Sequence, residues 1–383
     1  MTFRSTVADV DLDAIVDNLR TVARRGEKVI AVVKADAYGH GAEMVGATCA
    51  EAGAAMLAVF TVDEAAVLRH SGVAAPILVL GGITYPAEAE VAVALGLSVT
   101  VWDEERARLL AASARAVRAT ARVHLKVDTG LTRLGAPLDE ALARHRALSS
   151  LGLAVEGIFT HFATADEPGD TFTAEQLRRF DDLVGSLPER PAFVHAAASA
   201  GAASVERRST CDTIRPGLAL YGLRAAGHLA TGPLRPALRW SSRVHRLARL
   251  PAGTGVSYGH EYRLEREGLI ATVPVGYGDG LPRAAGRAAR LLVRGEHVPI
   301  AGRVAMDLVM LDVTDVPGVS EGDEVVVIGR QDRASVSAED LAAAVGTINY
   351  EVVTNIRRRV ARRYSRAGRV VATRTLSDGL VRL

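Results

Sequence analysis

The stretch KVIAVVKADAYGHG, residues 28–41, decides how the rest of the chain is read. Its first half, Lys28 to Val33, is an almost unbroken β-branched and apolar run, the pattern of a strand buried on both faces. Lys34 stands at the end of that run, followed by small residues, Tyr38, and the glycines Gly39 and Gly41. An isolated strand-end lysine is expected to snorkel into solvent. Here a phenolic hydroxyl and approachable backbone N–H groups follow it closely, which suits a phosphate group. At the mouth of a buried strand an ammonium loses hydration and its pKa falls. The amine can then act as a base or form an imine with a carbonyl. Lys34 is the first candidate for chemistry.

Outward from this stretch the chain alternates between two periodicities. A strand-like segment at 7–12 precedes a helical one at 13–25, which opens on Asp13. Strands are expected at 28–35, 56–61, 76–81, 97–102, 121–129, 153–161, 192–198 and 213–221. Helical patterns at 41–52, 63–70, 86–95, 103–116, 138–149, 173–187 and 199–205 separate them. Eight strands counted from Lys28 fit a TIM-type (β/α)8 barrel. The alternative, a doubly wound open sheet, would usually carry a G-x-G-x-x-G turn after an early strand, and none occurs. The texture changes at Gly232, where Pro233 and Pro236 break the pattern. Short strands punctuated by glycine follow at 244–250, 269–275, 290–294, 297–300, 308–313 and 323–328. Helices are expected at 337–345 and 350–363, and a last strand at 369–375. The fold class is α/β: an N-terminal barrel over residues 1–232, joined through 223–235 to a mostly-β C-terminal domain over 233–383.

Composition narrows the function. The 383 residues carry 46 basic and 44 acidic side chains, a net charge of +2, which disfavours nucleic acid or a membrane surface as partner. The arginines of 357–363 are the local exception and read as a solvated face or a set of ion-pair partners. Cys49 and Cys211 have no metal-ligand spacing and suggest no disulfide framework, which fits a reducing cytoplasm. The N-terminus, with Asp9, Asp11 and Asp13, does not read as a signal peptide. The uncharged stretch 71–87 is broken by two prolines and a Gly-Gly and falls short of a membrane span.

Barrel active sites lie at the C-terminal ends of the strands. Lys34 ends the first strand, Lys126 and Asp128 end the fifth, and Arg133 follows in the next loop. His161 ends the sixth, Ser199 follows the seventh, and Arg215 lies in the eighth just before Pro216-Gly217. Singly, His161 reads as a core histidine and Arg215 as a barrel ion-pair partner. Together they place amine, imidazole and guanidinium groups at one mouth. Ser199 and Gly217 fall where a barrel's phosphate site forms. A phosphorylated ligand beside an imine-forming lysine suggests pyridoxal phosphate.

The segment AVVKADAYGHG at residues 31–41 resembles the cofactor-lysine motif of the alanine racemases, pyridoxal-phosphate enzymes built from a barrel and a β-domain. The resemblance continues through LKVDTGLTRLG (125–135), THFATAD (160–166), RPGLALYG (215–222), VSYG (256–259), VGYGDGLPR (275–283), GRVAMD (302–307) and NYEV (349–352). The lysine motif alone also suits amino-acid decarboxylases of the same fold. The VSYG, GYGDG and GRVAMD segments discriminate. The resemblance implies that Lys34 holds pyridoxal 5'-phosphate as an imine and works on one face of the substrate Cα. It implies that Tyr38, Ser199 and Tyr350 bind the phosphate with backbone of Gly217 and Leu218. Arg215 would face the pyridine nitrogen, and His161 would link it to Tyr258, the second base, supplied by the other subunit of a homodimer. Arg133, Met306 and Tyr277 would bind the substrate carboxylate and close the pocket. Lys126 resembles a position that is carbamylated in some members.

Inversion at Cα needs a proton removed from one face and one returned to the other. Free lysine and tyrosine have pKa values near 10.4 and 10, so each needs neighbours to work near neutrality. An arginine against the pyridine nitrogen disfavours its protonation, because adjacent cations repel. A weaker electron sink should limit transamination. The chain departs from the family pattern at Ala198 (often asparagine), Leu308 (often glutamine) and Ala361 (commonly proline). The expected activity is interconversion of L- and D-alanine for peptidoglycan. The alternatives are a racemase of serine or another small amino acid, and a non-catalytic pyridoxal-phosphate-binding protein.

Overall fold

The structure is a computed structural model that describes residues 3–23, 26–204, 210–229 and 232–383. The expected helix ends at residues 25 and 205, and residues 230–231 of the expected connector, lie outside the described residues. The chain forms two compact units. One comprises Ile15–Ala37 and Ala42–Arg235; the other comprises the residues up to Ala14, Tyr38–Gly41 and Pro236–Leu383.

In the first unit eight strands close into a parallel barrel: β1 (Lys28–Val32), β2 (Met56–Val59), β3 (Ile77–Val79), β4 (Ser98–Val101), β5 (Arg122–Asp128), β6 (Ala154–Phe159), β7 (Phe193–Ala198) and β8 (Thr213–Arg215). Each pairs in parallel with the next, and β8 returns to β1 with Thr213 opposite Lys28. β2 and β3 are buried throughout, which is why they read as unbroken apolar runs. Helices Ala42–Glu51, Val62–His70, Pro86–Ala94, Glu104–Ala116, Ala141–Ser150 and Phe172–Gly185 alternate with them. Thr61, expected to end a strand, instead caps the next helix in a reciprocal box with Glu64. β8 stops well short of residue 221: Pro216 has no ladder donor, and Leu218–Tyr221 winds into a 3-10 turn. Buried Asn18, on the helix before β1, ties this end of the barrel by bonding the carbonyls of Leu220 and Arg235.

The second unit is mostly β. Val7–Asp11 pairs antiparallel with Leu238–Arg243 and parallel with Ala361–Arg366. A single cut at residue 232 therefore differs from the structure, because ladder pairing draws the first strand to the C-terminal unit. The expected helix 350–363 is also corrected: only Asn349–Thr354 is helical, and Ala361–Arg366 is a strand. In a strand adjacent side chains face opposite sides, which separates Arg362 from Arg363. Buried Arg362 donates to the carbonyls of Gly39, Ile356, Arg357 and Val360, while its neighbour Arg363 pairs with Asp9 at 2.6 Å. The arginine cluster is thus partly internal. No helix among the described residues is long and apolar enough to cross a membrane.

Candidate active site

Lys34 lies just past the end of β1, at the start of a backbone turn that the sequence did not predict. Ala35, Asp36, Ala37 and Tyr38 have φ between 51° and 55°, a left-handed turn made of residues that are not glycine. Each such residue costs about 1–2 kcal/mol. The turn persists because it is tied down. Ala35 N donates to Glu64 Oε1 at 2.6 Å, Ala42 N donates to Asp36 Oδ1 at 2.9 Å, and Ala37 N reaches the Val33 carbonyl at 2.9 Å. Strain of this kind concentrates where a side chain must be aimed. Lys34 itself is half-buried, and its pKa is lowered by burial first and then by the Arg133 charge, with Glu64 opposing.

Arg215, at the end of β8, is buried with its guanidinium packed on the Phe159 ring. One nitrogen meets His195 Nδ1 at 2.7 Å; the other meets the Thr160 carbonyl at 2.8 Å, the Ala196 carbonyl at 3.0 Å and His161 Nδ1 at 3.1 Å. Burial lowers its pKa to about 10, which leaves it a cation at neutrality. Burial and the charges of Arg215, Arg133, Lys126 and Lys34 press the His161 pKa well below its usual value. His161 is therefore neutral and accepts from Arg215. Lys126, buried on β5, has its pKa lowered to about 8, by burial and then by Arg133 and Arg215. Arg133 is exposed, in a loop shaped by Asp128 Oδ1, which accepts from Gly130 N and Thr132 N. The mouth collects four cationic side chains, Lys34, Lys126, Arg133 and Arg215, whose field favours an anionic ligand.

Ser199 begins the short helix after β7, and its Oγ accepts from Gly217 N at 3.1 Å and Ala219 N at 3.2 Å. This brings Ser199, Gly217 and Leu218 together as a hydroxyl backed by a turn of N–H groups, the kind of concavity that suits a phosphate. Within this unit the expected mouth residues thus share one end of the barrel.

The second unit brings its own residues together. The Tyr38 and Tyr350 rings lie 6.0 Å apart, and burial followed by Tyr350 pushes the Tyr38 phenol pKa upward. Tyr277 N donates to the Ala305 carbonyl and Gly278 N to the Met306 carbonyl, so the GYGDG and GRVAMD loops run against each other. A Cβ at Gly276 would stand 2.3 Å from the Ala305 oxygen, which is why only glycine fits there. Asp279, fully buried, anchors the pair through Arg4 at 2.6 Å and Arg359 at 2.7 Å, and Arg359 continues to Asp307. Tyr258 is 70% exposed and follows Ser257, held at φ 64° and ψ −177° by a bond from its hydroxyl to the Arg303 carbonyl. Sequence reasoning missed His195, His124, Asp279 and the Ser257 strain. A histidine inside an apolar strand and an aspartate between two glycines were the available signals. No group of His, Cys, Asp or Glu among the described residues could hold a metal ion.

A closed (β/α)8 barrel with a lysine of lowered pKa in a cationic mouth, next in the chain to a mostly-β unit, describes a barrel enzyme. Comparison with known proteins narrows this. Residues 10–225 match the family described as Alanine racemase, N-terminal domain, and residues 237–364 match Alanine racemase, C-terminal domain. An alanine racemase of Symbiobacterium thermophilum is 44% identical, covering 94% of this chain and 97% of the relative. One from Halothermothrix orenii is 40% identical, covering 94% and 97%. Among solved structures, alanine racemase from Bacillus anthracis with bound L-Ala-P superposes with a TM-score of 0.90 at 36% identity, covering 98% of each chain. The enzyme from D-cycloserine-producing Streptomyces lavendulae gives 0.88 at 36%, covering 96% of this chain and 98% of that one. The chain belongs to the alanine racemase family and is an isomerase.

Proposed function

We propose that this chain is a cytoplasmic homodimer that interconverts L- and D-alanine with pyridoxal 5'-phosphate and supplies D-alanine for peptidoglycan. The observation that carries the reading is the barrel mouth, where Lys34, of lowered pKa, lies with a buried Arg215 cation that donates to neutral His161. The donor set fits the cofactor by its chemistry: an amine for the aldehyde, a Ser199 hydroxyl backed by turn N–H groups for the phosphate, and a guanidinium for the pyridine nitrogen. When bound, the cofactor disperses the negative charge left at Cα. Lys34 Nζ takes or returns a proton on one face of Cα, and Tyr258 of the partner subunit does so on the other. His161 orients that phenol. Ser199, Gly217 and Leu218 would hold the phosphate, Tyr38 and Tyr350 are the further phosphate ligands that the family resemblance implies, and Arg215 would face the pyridine ring. Arg133, Met306 and Tyr277 orient the substrate carboxylate. The assay is chiral chromatography of L-alanine, L-serine and other small L-amino acids with the cofactor-loaded protein. Alanine should racemise fastest. Faster turnover of serine, or none of any, refutes the assignment.

Arg215→Glu should let the pyridine nitrogen keep a proton and raise transamination relative to racemisation. An unchanged ratio in a folded, cofactor-bound variant would remove Arg215 from this role.

Carbamylation would turn the Lys126 cation into an anion able to orient Arg133, formed when its unprotonated amine adds to carbon dioxide and releases a proton. With a pKa of about 8, the reactive fraction shrinks as pH falls below that value. Protein kept in 13C-bicarbonate should show a carbamate NMR signal that fades on acidification and is missing from Lys126→Arg. A signal that survives in that variant comes from another site.

A further inference from the structure

Arg215 is a buried cation, and none of its hydrogen-bond partners named above is a carboxylate. A guanidinium only donates, so His195 Nδ1 accepts and the ring carries its proton on Nε2. That Nε2 faces His124 Nδ1 at 2.9 Å. His124 must then carry its proton on Nε2, which points to Glu156 Oε1 at 3.3 Å. The Ser98 hydroxyl donates to the same oxygen, and Arg122 lies 3.9 Å from the other. The relay crosses β5, β6, β7 and β8, with a cation at one end, a carboxylate at the other, and two neutral rings between. A second proton on either ring would set donor against donor. Burial and the Arg215 charge keep His195 neutral, and burial outweighs Glu156 in doing so for His124.

Packing fixes the rings as firmly as bonding does. Both are fully buried; His195 stacks on Phe159 at 4.7 Å and His124 on Phe193 at 5.6 Å. Gly157, inside β6, makes room: a Cβ there would stand 2.2 Å from His124 Nδ1. Glycine weakens a strand interior, so its presence marks a close approach.

We propose that Glu156, acting through His124 and His195, is a remote positioning residue that fixes the direction of every proton in the relay and so the aim of the Arg215 guanidinium. This rests on the reading of Arg215 as the group facing the cofactor ring. Glu156 touches neither ligand nor reacting atoms; what it supplies is an acceptor. A glutamine can turn its amide oxygen to His124 and keep the direction. A lysine can only donate. It forces His124 Nε2 to accept, turns both rings to the other tautomer, and sets His195 Nδ1–H against Arg215.

The test compares Glu156→Gln with Glu156→Lys, using a position whose side chain is 21% exposed and so can admit lysine. Histidine 15N NMR of the cofactor-free protein reads the relay without the cofactor. Both rings should be neutral with protons on Nε2 in the wild type and in Glu156→Gln, and should leave that tautomer in Glu156→Lys. With cofactor bound, Glu156→Lys should shift the visible absorption, raise transamination relative to racemisation, and lower kcat about tenfold, equivalent to ~1.4 kcal/mol. Glu156→Gln should restore all three. A wild type with a charged ring or Nδ1 protons, or a folded Glu156→Lys protein with unchanged tautomers, overturns the relay. Altered tautomers with an unchanged spectrum and ratio overturn its link to the cofactor. Equal loss in both variants would reduce Glu156 to packing and also overturn it.

Discussion

Mixing Lys34→Ala protein with Tyr258→Phe protein, each inactive alone, restores racemisation once subunits exchange. The expectation follows from where the two bases lie in the chain. Lys34 belongs to the barrel unit, and Tyr258 belongs to the mostly-β unit, where its ring is 70% exposed. Met306, at 54% exposed, and Ile348, at 61%, are further large apolar side chains of that unit left open to solvent. Such side chains suit a surface covered by another copy. A two-fold dimer gives and receives the same surface, so each site would combine one chain's barrel with the other's loops. A mixed dimer then has one site with both defects and one with neither, and should recover about half the wild-type activity. If demonstrated exchange between folded variants yields no activity, both bases come from one chain.

The second large effect is that of Lys34→Ala alone. Proton transfer by a positioned base contributes about 10²–10⁴-fold, and the variant also loses the covalent hold on the cofactor. Racemisation should fall by at least that factor, and the visible absorption of the protein-bound cofactor should disappear. Alanine is a small change at a half-buried position, although the left-handed residues that follow make the local backbone costly to disturb. Unchanged far-ultraviolet circular dichroism would separate chemistry from folding. Persistence of the absorption band would mean that another amine, with Lys126 the nearest candidate in character, carries the cofactor.

The barrel was legible because its strands announce themselves. MLAV and ILV are buried on all sides and have no helical period. The mouth was legible for a related reason: charged residues at the ends of apolar runs have few structural uses. Where sequence reasoning failed, long-range pairing decided the outcome. Nothing local in residues 361–366 says that they will lie between Val7–Asp11 and Arg369–Thr375, and an arginine-rich segment reads as helix until its partners are known. The left-handed turn after Lys34 is similarly opaque. Ala-Asp-Ala-Tyr has no glycine to signal positive φ, and the turn exists because Glu64, on the distant helix Val62–His70, holds it. The relay behind Arg215 was hidden because His124, Glu156 and His195 lie on separate strands.

In the proposed reaction two different groups serve the two faces of Cα, and hydrogen exchange in deuterium oxide distinguishes this from a single shared base. Cofactor-loaded Tyr258→Phe protein, which keeps Lys34, is incubated separately with each enantiomer of alanine, and the Cα–H signal is followed by proton NMR. One enantiomer should exchange its Cα hydrogen for deuterium without inverting, while the other keeps its hydrogen. Exchange of both enantiomers, or inversion at the wild-type rate, would contradict the two-base account.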